Sequence, residues 1–342
     1  MSELLRHQIT IAGAGSVGCY VGGALALAGR NVTLLLRPAL AEQIGAKGLD
    51  IRDLQSPARH VAPDQLRLAT DPAEAFRLAT IILVTTKSRA TSEMAGLIGV
   101  HAKPGATVVS LQNGTGNAGR LKHSLGAAFT VAAGMVPFNV MQTTTAGAAP
   151  HFLRATSGTV QVEPTKAGVA QLVNVTGLPA AQNADMTAVL WSKLVINLNN
   201  AINALCGVPL LEELHDRRWR LILAQQQSEA LHVLNVAQIK TVAIEGVRPN
   251  FLPIALRLPD LLFRPVARGM LAIDRQARSS MWEDLERRRL TEIGDLQGAI
   301  QRLARERNIA VPLTDRIIAL ITAAEERGLG SPRLHPHDIW SG

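Results

Sequence analysis

The chain has 342 residues, 47% of them hydrophobic and 3% aromatic, so it suits two domains whose cores are built from Leu, Val, Ile and Ala. Lys and Arg number 35 against 27 Asp and Glu, a formal charge of +8, yet the densest run, Arg287-Arg288-Arg289, sits among Glu283, Asp284, Glu286 and Glu292. Interspersed charge without interleaved aromatics argues against nucleic acid as the partner and fits an anionic small molecule.

Residues 9–37 read as strand, Gly-rich turn, helix, turn and second strand. Ile9 to Ala12 form an apolar strand, Val17 to Leu27 a helix rich in small residues, Gly29 its C-cap, and Val32 to Leu36 a buried strand. Gly13, Gly15 and Gly18 have the G-x-G-x-x-G spacing of a dinucleotide site. The first allows a tight turn, the second lets the backbone approach a pyrophosphate, and the third lets helix and strand pack closely. Gly13, Ala14, Gly15, Ser16, Val17 and Gly18 are therefore the expected pyrophosphate cradle, at a helix N-terminus that favours an anion. The second strand chooses the dinucleotide. An NAD site usually carries an acid there, but Arg37 stands 19 residues after Gly18 and no acid lies between Gly29 and Ala41. A guanidinium pairs with a phosphate bidentately, so NADP is expected rather than NAD; the alternative is an ordinary surface arginine at a strand end.

Further on, Thr80–Thr85 and Thr107–Leu111 read as buried strands, followed by the polar turns Thr86-Lys87-Ser88 and Gln112-Asn113-Gly114. Ligands in an open parallel sheet bind outside the carboxyl ends of the strands, which places Lys87 and Asn113 at the site. Phe129–Val131 and Thr159–Val162 are further expected strands, the latter with an antiparallel option, and Thr143–Pro150 a loop. Leu178 to Gln182 is the expected linker. From about Asp185 the pattern turns helical: Met186–Cys206, Arg217–Val236, Met281–Asn308 and Thr314–Arg327 are amphipathic segments, while Val247–Pro265 has no clear assignment. The reading is an α/β Rossmann-type doubly wound sheet over residues 1–182, an all-α domain over 183–330 and a tail from 331 to 342 that exposes His335 and His337. Cys19 and Cys206 form no metal or redox motif, and no His has zinc spacing, so no metal is expected. The first strand begins within ten residues of Met1 and no run of 18 apolar residues occurs, so neither a signal peptide nor a membrane partner is expected and the chain reads as cytoplasmic.

The chemistry concentrates on the segment Leu190–Gly207. Lys193, Asn197 and Asn200 are spaced i, i+4 and i+7, an amine and two amides on one face of an otherwise apolar helix. A buried lysine is costly unless paired or used, so Lys193 is the expected proton donor; the bland alternative is a solvent-exposed helical lysine.

At this point the sequence resembles the ketopantoate reductase (2-dehydropantoate 2-reductase) family. The matching pieces occur in family order: I-A-G-A-G-S-V-G at 11–18, T-K-S around Lys87, L-Q-N-G at 111–114, W-S-K-L-V-I-N at 191–197, R-S-S-M at 278–281, T-E-I at 291–293 and N-I-A-V-P at 308–312. The resemblance implies a helical domain of the 6-phosphogluconate-dehydrogenase-like kind and NADPH-dependent reduction of 2-dehydropantoate to pantoate, in pantothenate biosynthesis. It makes Lys193 the general acid. Glu292 balances its charge near the cofactor, and Ser280 binds the substrate carboxylate or hydroxyl. Asn197 and Asn200 orient the substrate, Asn113 bridges nicotinamide ribose and amine, and Lys87 lies beside the cofactor phosphate or ribose. The roles are chemically coherent, since a hydride acceptor needs a proton donor aimed at its developing alkoxide. The mechanism requires Lys193 and Glu292, 99 residues apart, to face one cleft between the domains together with Ser280 and Asn113. Singly, Glu292 also reads as a helix-face acid, Ser280 as a helix N-cap and Asn113 as a turn former. Two positions depart from the family pattern: Ala201 stands where a second helical Asn is expected, with Asn200 and Asn203 nearby, and Leu210 where a further substrate Asn is expected. A paralogous reductase of another 2-keto acid and a catalytically idle NADP-binding sensor are the alternatives, and a homodimer is compatible with either.

Overall fold

The computed structural model describes residues 6–53, 56–143, 147–266 and 276–340, and the chain divides into two compact units, Met1–Met186 and Thr187–Gly342. The strands, all in the first unit, are β1 (Gln8–Ala12), β2 (Asn31–Leu35), β3 (Leu49–Arg52), β4 (Arg59–Val61), β5 (Arg67–Ala69), β6 (Ile81–Val84), β7 (Thr107–Ser110), β8 (Thr130–Met135), β9 (Val140–Thr143), β10 (His151–Arg154), β11 (Val160–Val162) and β12 (Ala180–Gln182). Its helices are α1 (Ser16–Leu27), α2 (Pro38–Lys47), α3 (Pro72–Phe76), α4 (Thr91–His101), α5 (Asn117–Leu125) and α6 (Val169–Val173).

One sheet runs β12-β11-β8-β7-β6-β1-β2-β5. Every neighbouring pair from β8 to β5 is parallel, β11 is antiparallel to β8, and β12 is parallel to β11. The antiparallel option for Thr159–Val162 is thus the one realised. The connections leave β1 in one direction and rejoin beside it at β6, so the switch point of the sheet falls between these two strands, above Ala12 and Val84.

A second sheet, β4-β3-β10-β9, was not foreseen in the sequence, and it explains why α1 carries glycines at 22 and 23. All residues from Gly18 to Ala26 are buried, because α1 packs against β1 and β2 on one side and the second sheet on the other. A Cβ on Gly22 would stand 2.4 Å from Leu34 Cδ2, and one on Gly23 would stand 2.9 Å from Leu49 Cδ1. A helix apolar all round is a helix covered all round. The stretch expected as a linker is also structured: Leu178 closes a turn with Val175, and 180–182 form edge strand β12. Of the expected loop Thr143–Pro150, residues 144–146 lie outside the described residues, and Thr143 ends β9.

The second unit is helical: α7 (Met186–Asn197), beginning at the unit boundary, α8 (Asn199–Cys206), α9 (Leu210–His215), α10 (Arg217–Val236), α11 (Leu252–Arg257), α12 (Asp260–Val266), α13 (Ser280–Glu286), α14 (Gln297–Glu306), α15 (Pro312–Arg327) and α16 (Pro336–Ile339). Two expected helices are each broken in two. The segment 186–206 turns at Leu198, and 281–308 is interrupted between Glu286 and Gln297, so Glu292 lies on an irregular connection rather than a helix face. The unassigned Pro-rich stretch forms α11 and α12, held to α10 by the fully buried Arg220. Its guanidinium donates to Leu258 O at 3.1 Å, pairs with Asp260 and lies over the Phe263 ring at 3.9 Å. Residues 331–340, expected as a tail, belong to this unit. Ser331 Oγ donates to Ala204 O at 2.7 Å, Leu334 N to Leu205 O at 2.9 Å, and Ile339 is buried, although His335 and His337 are exposed as expected. Among the described residues, no helix is long and apolar enough to cross a membrane.

Close packing at the switch point makes a direct prediction. A Cβ on Gly18 would stand 2.5 Å from Thr85 Oγ1 and 2.9 Å from Ile11 Cγ2, whereas one on Gly45, inside α2, would meet Leu68 Cδ1 at an ordinary 3.6 Å. Gly18→Val should cost about 1–3 kcal/mol by overpacking, and Gly45→Ala should be neutral or gain up to ~1 kcal/mol of helix propensity. Urea unfolding midpoints decide it; equal midpoints for the two variants would contradict this packing.

Candidate active site

In the first unit, the carboxyl ends of β1, β2, β6 and β7 carry the turns expected to hold a ligand. Gly13 has φ +80°, and a Cβ there would stand 2.1 Å from Thr86 Cγ2, so a side chain is excluded twice over. The turn is tied down by Ala14 N donating to Leu35 O at 2.9 Å and Thr85 Oγ1 donating to Gly13 O at 3.0 Å. Above Gly15, no heavy atom of the described residues comes within 4 Å of where a Cβ would lie. Gly15 is the N-cap of α1, no side chain caps the helix and its first turn holds no acid, so the positive end of the dipole is left to favour an anion. Arg37 is exposed at the end of β2, where it precedes Pro38 as the N-cap of α2. A turn closed to side chains at Gly13 and Gly18, at the start of a helix, fits a dinucleotide.

Beside the cradle, a buried amide network joins the ends of β6 and β7. Gln112 Nε2 donates to Thr91 Oγ1 at 2.8 Å and to Thr86 O at 3.1 Å, while Ser110 Oγ donates to Gln112 Oε1 at 3.1 Å. Asn117 Nδ2 donates to Ser88 Oγ and to Asn113 O, and Ser88 Oγ itself donates to Asn113 O at 2.9 Å. Asn113 is thus held by its backbone, with its side chain partly exposed, and Lys87 is exposed one residue before the buried Ser88. Gln112, Ser88 and Asn117 were not singled out in the sequence, though two of them sit inside quoted motifs.

In the second unit, Ser192, Leu194 and Val195 are buried, and Lys193, Ile196 and Asn197 are partly exposed. Burial lowers the pKa of Lys193 from its ordinary 10.5 to about 8, and the opposing influence, which raises it, is the negative charge of Glu245. Glu245 belongs to the stretch 240–277 that had no assignment. Leu198 separates α7 from α8 with helical backbone angles, φ −56° and ψ −25°, and Lys193, Asn197 and Asn200 are all partly exposed. At this break Val195 O accepts Gln227 Nε2 at 3.3 Å and Leu198 O accepts Gln297 Nε2 at 2.9 Å. After the turn, residues 201–206 are all buried, while Asn199 and Asn200 remain partly exposed. Ala201 therefore lies in the core, and Asn200 is the accessible amide.

Asn203 is fully committed. Its Nδ2 donates to Val208 O at 3.0 Å and Glu213 Oε2 at 2.7 Å, and its Oδ1 accepts from Ser279 N at 2.8 Å. The R-S-S-M motif divides in the same way. Arg278 donates to Gly207 O and lies over the Trp282 ring, Met281 is buried, and Ser279 is the N-cap of α13. Ser279 Oγ accepts from Trp282 N at 3.1 Å and donates to Asn200 O at 2.9 Å. Ser280 is thus the first helical residue rather than the cap, and it is exposed next to the Asn200 backbone contact. Glu292 is 8% exposed, between Thr291, whose N–H donates to Glu325 Oε1 at 2.7 Å, and the buried Ile293. It lies five residues before Gln297, the residue that holds Leu198.

A dinucleotide turn and a helical unit carrying a partly buried lysine define a nicotinamide-dependent oxidoreductase of two units. Residues 9–166 match the family described as Ketopantoate reductase PanE/ApbA and residues 185–325 its C-terminal counterpart. The chain belongs to the ketopantoate reductase family. A 2-dehydropantoate 2-reductase of Halobacterium salinarum is 28% identical over 334 residues, covering 94% of this chain and all of that protein. A PanE/ApbA family ketopantoate reductase from Ralstonia eutropha superposes with a TM-score of 0.77 at 28% identity, covering 94% of this chain and 99% of that one. D-mandelate dehydrogenase, in a ternary structure with NADH and anilino(oxo)acetate, shares the fold with a TM-score of 0.74 at 22% identity over 94% and 99% of the two chains.

The buried acid Glu213 makes a prediction of its own. Burial raises its pKa from 4.5 to about 8 against the hydrogen bonds of Asn203, Asn199 and Cys206. An acid whose folded pKa is raised stabilises the fold fully below its unfolded pKa, near 4.5, and loses that contribution as pH rises through about 8. Glu213→Gln keeps an acceptor for Asn203 without the charge, so it should gain stability relative to the parent between pH 5 and 9, on the order of a few kcal/mol. Parallel melting curves of parent and variant across that range would contradict it.

Proposed function

We propose that this chain reduces 2-dehydropantoate to pantoate with NADPH, in pantothenate biosynthesis. The observation that carries the reading is Lys193, a half-buried amine whose pKa is brought to about 8 on the helix that also carries Asn197. Such an amine is largely protonated at pH 7 and still gives its proton up readily, as a general acid working near neutral pH requires. Residues 13–18 would hold the pyrophosphate, Arg37 the 2′-phosphate, Lys87 the phosphate or ribose beside it, and Asn113 the nicotinamide ribose. NADPH, when bound, supplies the hydride. Lys193 Nζ delivers a proton to the ketone oxygen as negative charge develops there, and Glu292 balances the charge of the amine. Ser280 binds the substrate carboxylate or hydroxyl, and Asn197 and Asn200 orient the substrate.

A second reading, reduction of another 2-keto acid, is favoured by two positions. Ala201 is buried in the core, and Leu210 spends its N–H on Ala277 O at 2.9 Å and has an apolar side chain. Without amides there, fewer donors remain for the hydroxyl of 2-dehydropantoate.

Lys193→Ala should lower the rate of keto-acid reduction by about 10²–10⁴ while leaving dinucleotide affinity nearly unchanged. In the parent, the rate should be flat at lower pH and fall as pH rises through about 8, as the ammonium form is lost. Arg37→Ala should weaken NADPH roughly tenfold or more and leave NADH little changed. Steady-state kinetics with both cofactors and a small panel of 2-keto acids provide the check. Near-normal turnover by Lys193→Ala would remove Lys193 from the chemistry.

A further inference from the structure

At the carboxyl ends of β6 and β7 the sheet hands the chain over to side chains. Leu111 N donates to Val84 O at 2.8 Å and closes the ladder between the two strands. The turns beyond, 85–90 and 111–116, carry Lys87 and Asn113 and are joined by Ser88, Thr91, Gln112 and Asn117, each at most 5% exposed. Asn117, the first residue of α5, is the centre of this group. Its Nδ2 donates to Ser88 Oγ at 2.9 Å and to Asn113 O, and its Oδ1 accepts from Arg120 Nη1 at 2.9 Å and from Thr91 Oγ1 at 3.0 Å. Both N–H bonds and both lone pairs of the amide face a partner, which is the full capacity of an asparagine. Ser88 Oγ donates its own hydrogen to Asn113 O at 2.9 Å, so that one carbonyl accepts twice. Thr91 Oγ1 shares its hydrogen with Ser88 O at 2.7 Å and accepts from Gln112 Nε2 at 2.8 Å. Gln112 Nε2 also donates to Thr86 O, and Thr86 is the residue whose Cγ2 lies 2.1 Å from where a Cβ on Gly13 would stand. The network runs unbroken from the glycine turn to Asn113.

Stability alone does not require this arrangement. Each buried polar group loses water on folding, and an apolar set of the same shape in its place is close to neutral. What a saturated network supplies is a single geometry. Here that geometry belongs to one peptide: two donors on Asn113 O fix the plane of the bond between Asn113 and Gly114. Gly114 continues at φ +90°, where a side chain would be strained. The Asn113 side chain, partly exposed, therefore hangs from a backbone that is clamped on both sides.

We propose that Asn117 is a positioning residue for the nicotinamide half of the dinucleotide: by clamping Ser88 to the carbonyl of Asn113, it sets where the Asn113 side chain meets the ligand. This rests on the reading of Asn113 as the residue beside the nicotinamide ribose. Asn117 is itself buried, so it acts through Asn113. Arg37, at the end of β2, lies across β6 and β1 from the network, so the adenosine end of the dinucleotide is outside its reach. A loss confined to one half of the ligand is the signature of such a role.

The test measures dissociation constants by calorimetry for NADPH and for adenosine 2′,5′-bisphosphate, which has the phosphorylated adenosine end and no nicotinamide. The full chain is compared with Asn117→Leu, which fills similar space without hydrogen bonds, and with Ser88→Ala, the smaller change should Asn117→Leu not fold. Both substitutions are neutral, so neither alters the charge near the phosphates. Asn117→Leu should raise the NADPH constant about tenfold or more and Ser88→Ala about threefold or more, each leaving the bisphosphate within about twofold of the parent. In an Asn113→Ala background, Ser88→Ala should have little further effect on NADPH, because the side chain being positioned is gone. Equal losses for both ligands, or a Ser88→Ala effect undiminished by Asn113→Ala, would make the network structural only and overturn the proposal. NADPH binding unchanged in both variants overturns it as well. An Asn113→Ala variant that binds NADPH as the parent does refutes instead the reading of Asn113 on which the proposal rests.

Discussion

Two buried side-chain amides, Gln227 and Gln297, are the constraint on which the helical unit depends. They donate to the carbonyls of Val195 and Leu198, where the helix carrying Lys193 breaks. A buried carbonyl left without a donor costs about 1–3 kcal/mol, so the break is stable only with partners of this kind in place. The turn buries Ala201 to Cys206 and leaves Asn199 and Asn200 accessible. The same two residues tie α10 and α14 to the break, and α14 follows directly on the connection that holds Glu292. Ser279 and Asn203 complete the arrangement by locking the start of α13 to α8, with Ser280 exposed.

Two titratable groups of this unit are both brought to about 8 by burial, with opposite consequences. Glu213 is ringed by donors from Asn203, Asn199 and Cys206 inside the core, where a neutral carboxylic acid is a packing element. Lys193 is partly exposed, and the negative charge of Glu245 on a neighbouring loop opposes the effect of its burial. Desolvation alone does not make a proton donor; an opposing charge and an open side do.

Much of the first unit was legible in the sequence because its signals are local. The glycine turn between β1 and α1 and the buried strands at 81–84 and 107–110 lie where the pattern puts them. The second sheet was not legible: β4 has three residues, its neighbours four, and their pairing of 49–61 with 140–154 is non-local. The edge strand at 180–182 looked like a linker because three residues of an edge carry little pattern. In the helical unit, apolar periodicity ran through Leu198 and through 287–296, since a break held by side-chain amides leaves the periodicity intact. Gln227 and Gln297 are distinguished only by lying on the buried side of amphipathic helices.

The central claim is that residues of the helical unit protonate a keto oxygen as hydride arrives at the adjacent carbon. Deuteride transfer tests it most directly. NADPH carrying deuterium at both C4 positions of the nicotinamide is incubated with the protein and 2-dehydropantoate, and the product is analysed by mass spectrometry and proton NMR. The account predicts one deuterium at C2 of pantoate, formed by the parent and lost almost entirely with Lys193→Ala. Consumption of the cofactor without label in the hydroxy acid, or labelled product at equal rates from parent and Lys193→Ala, would contradict it.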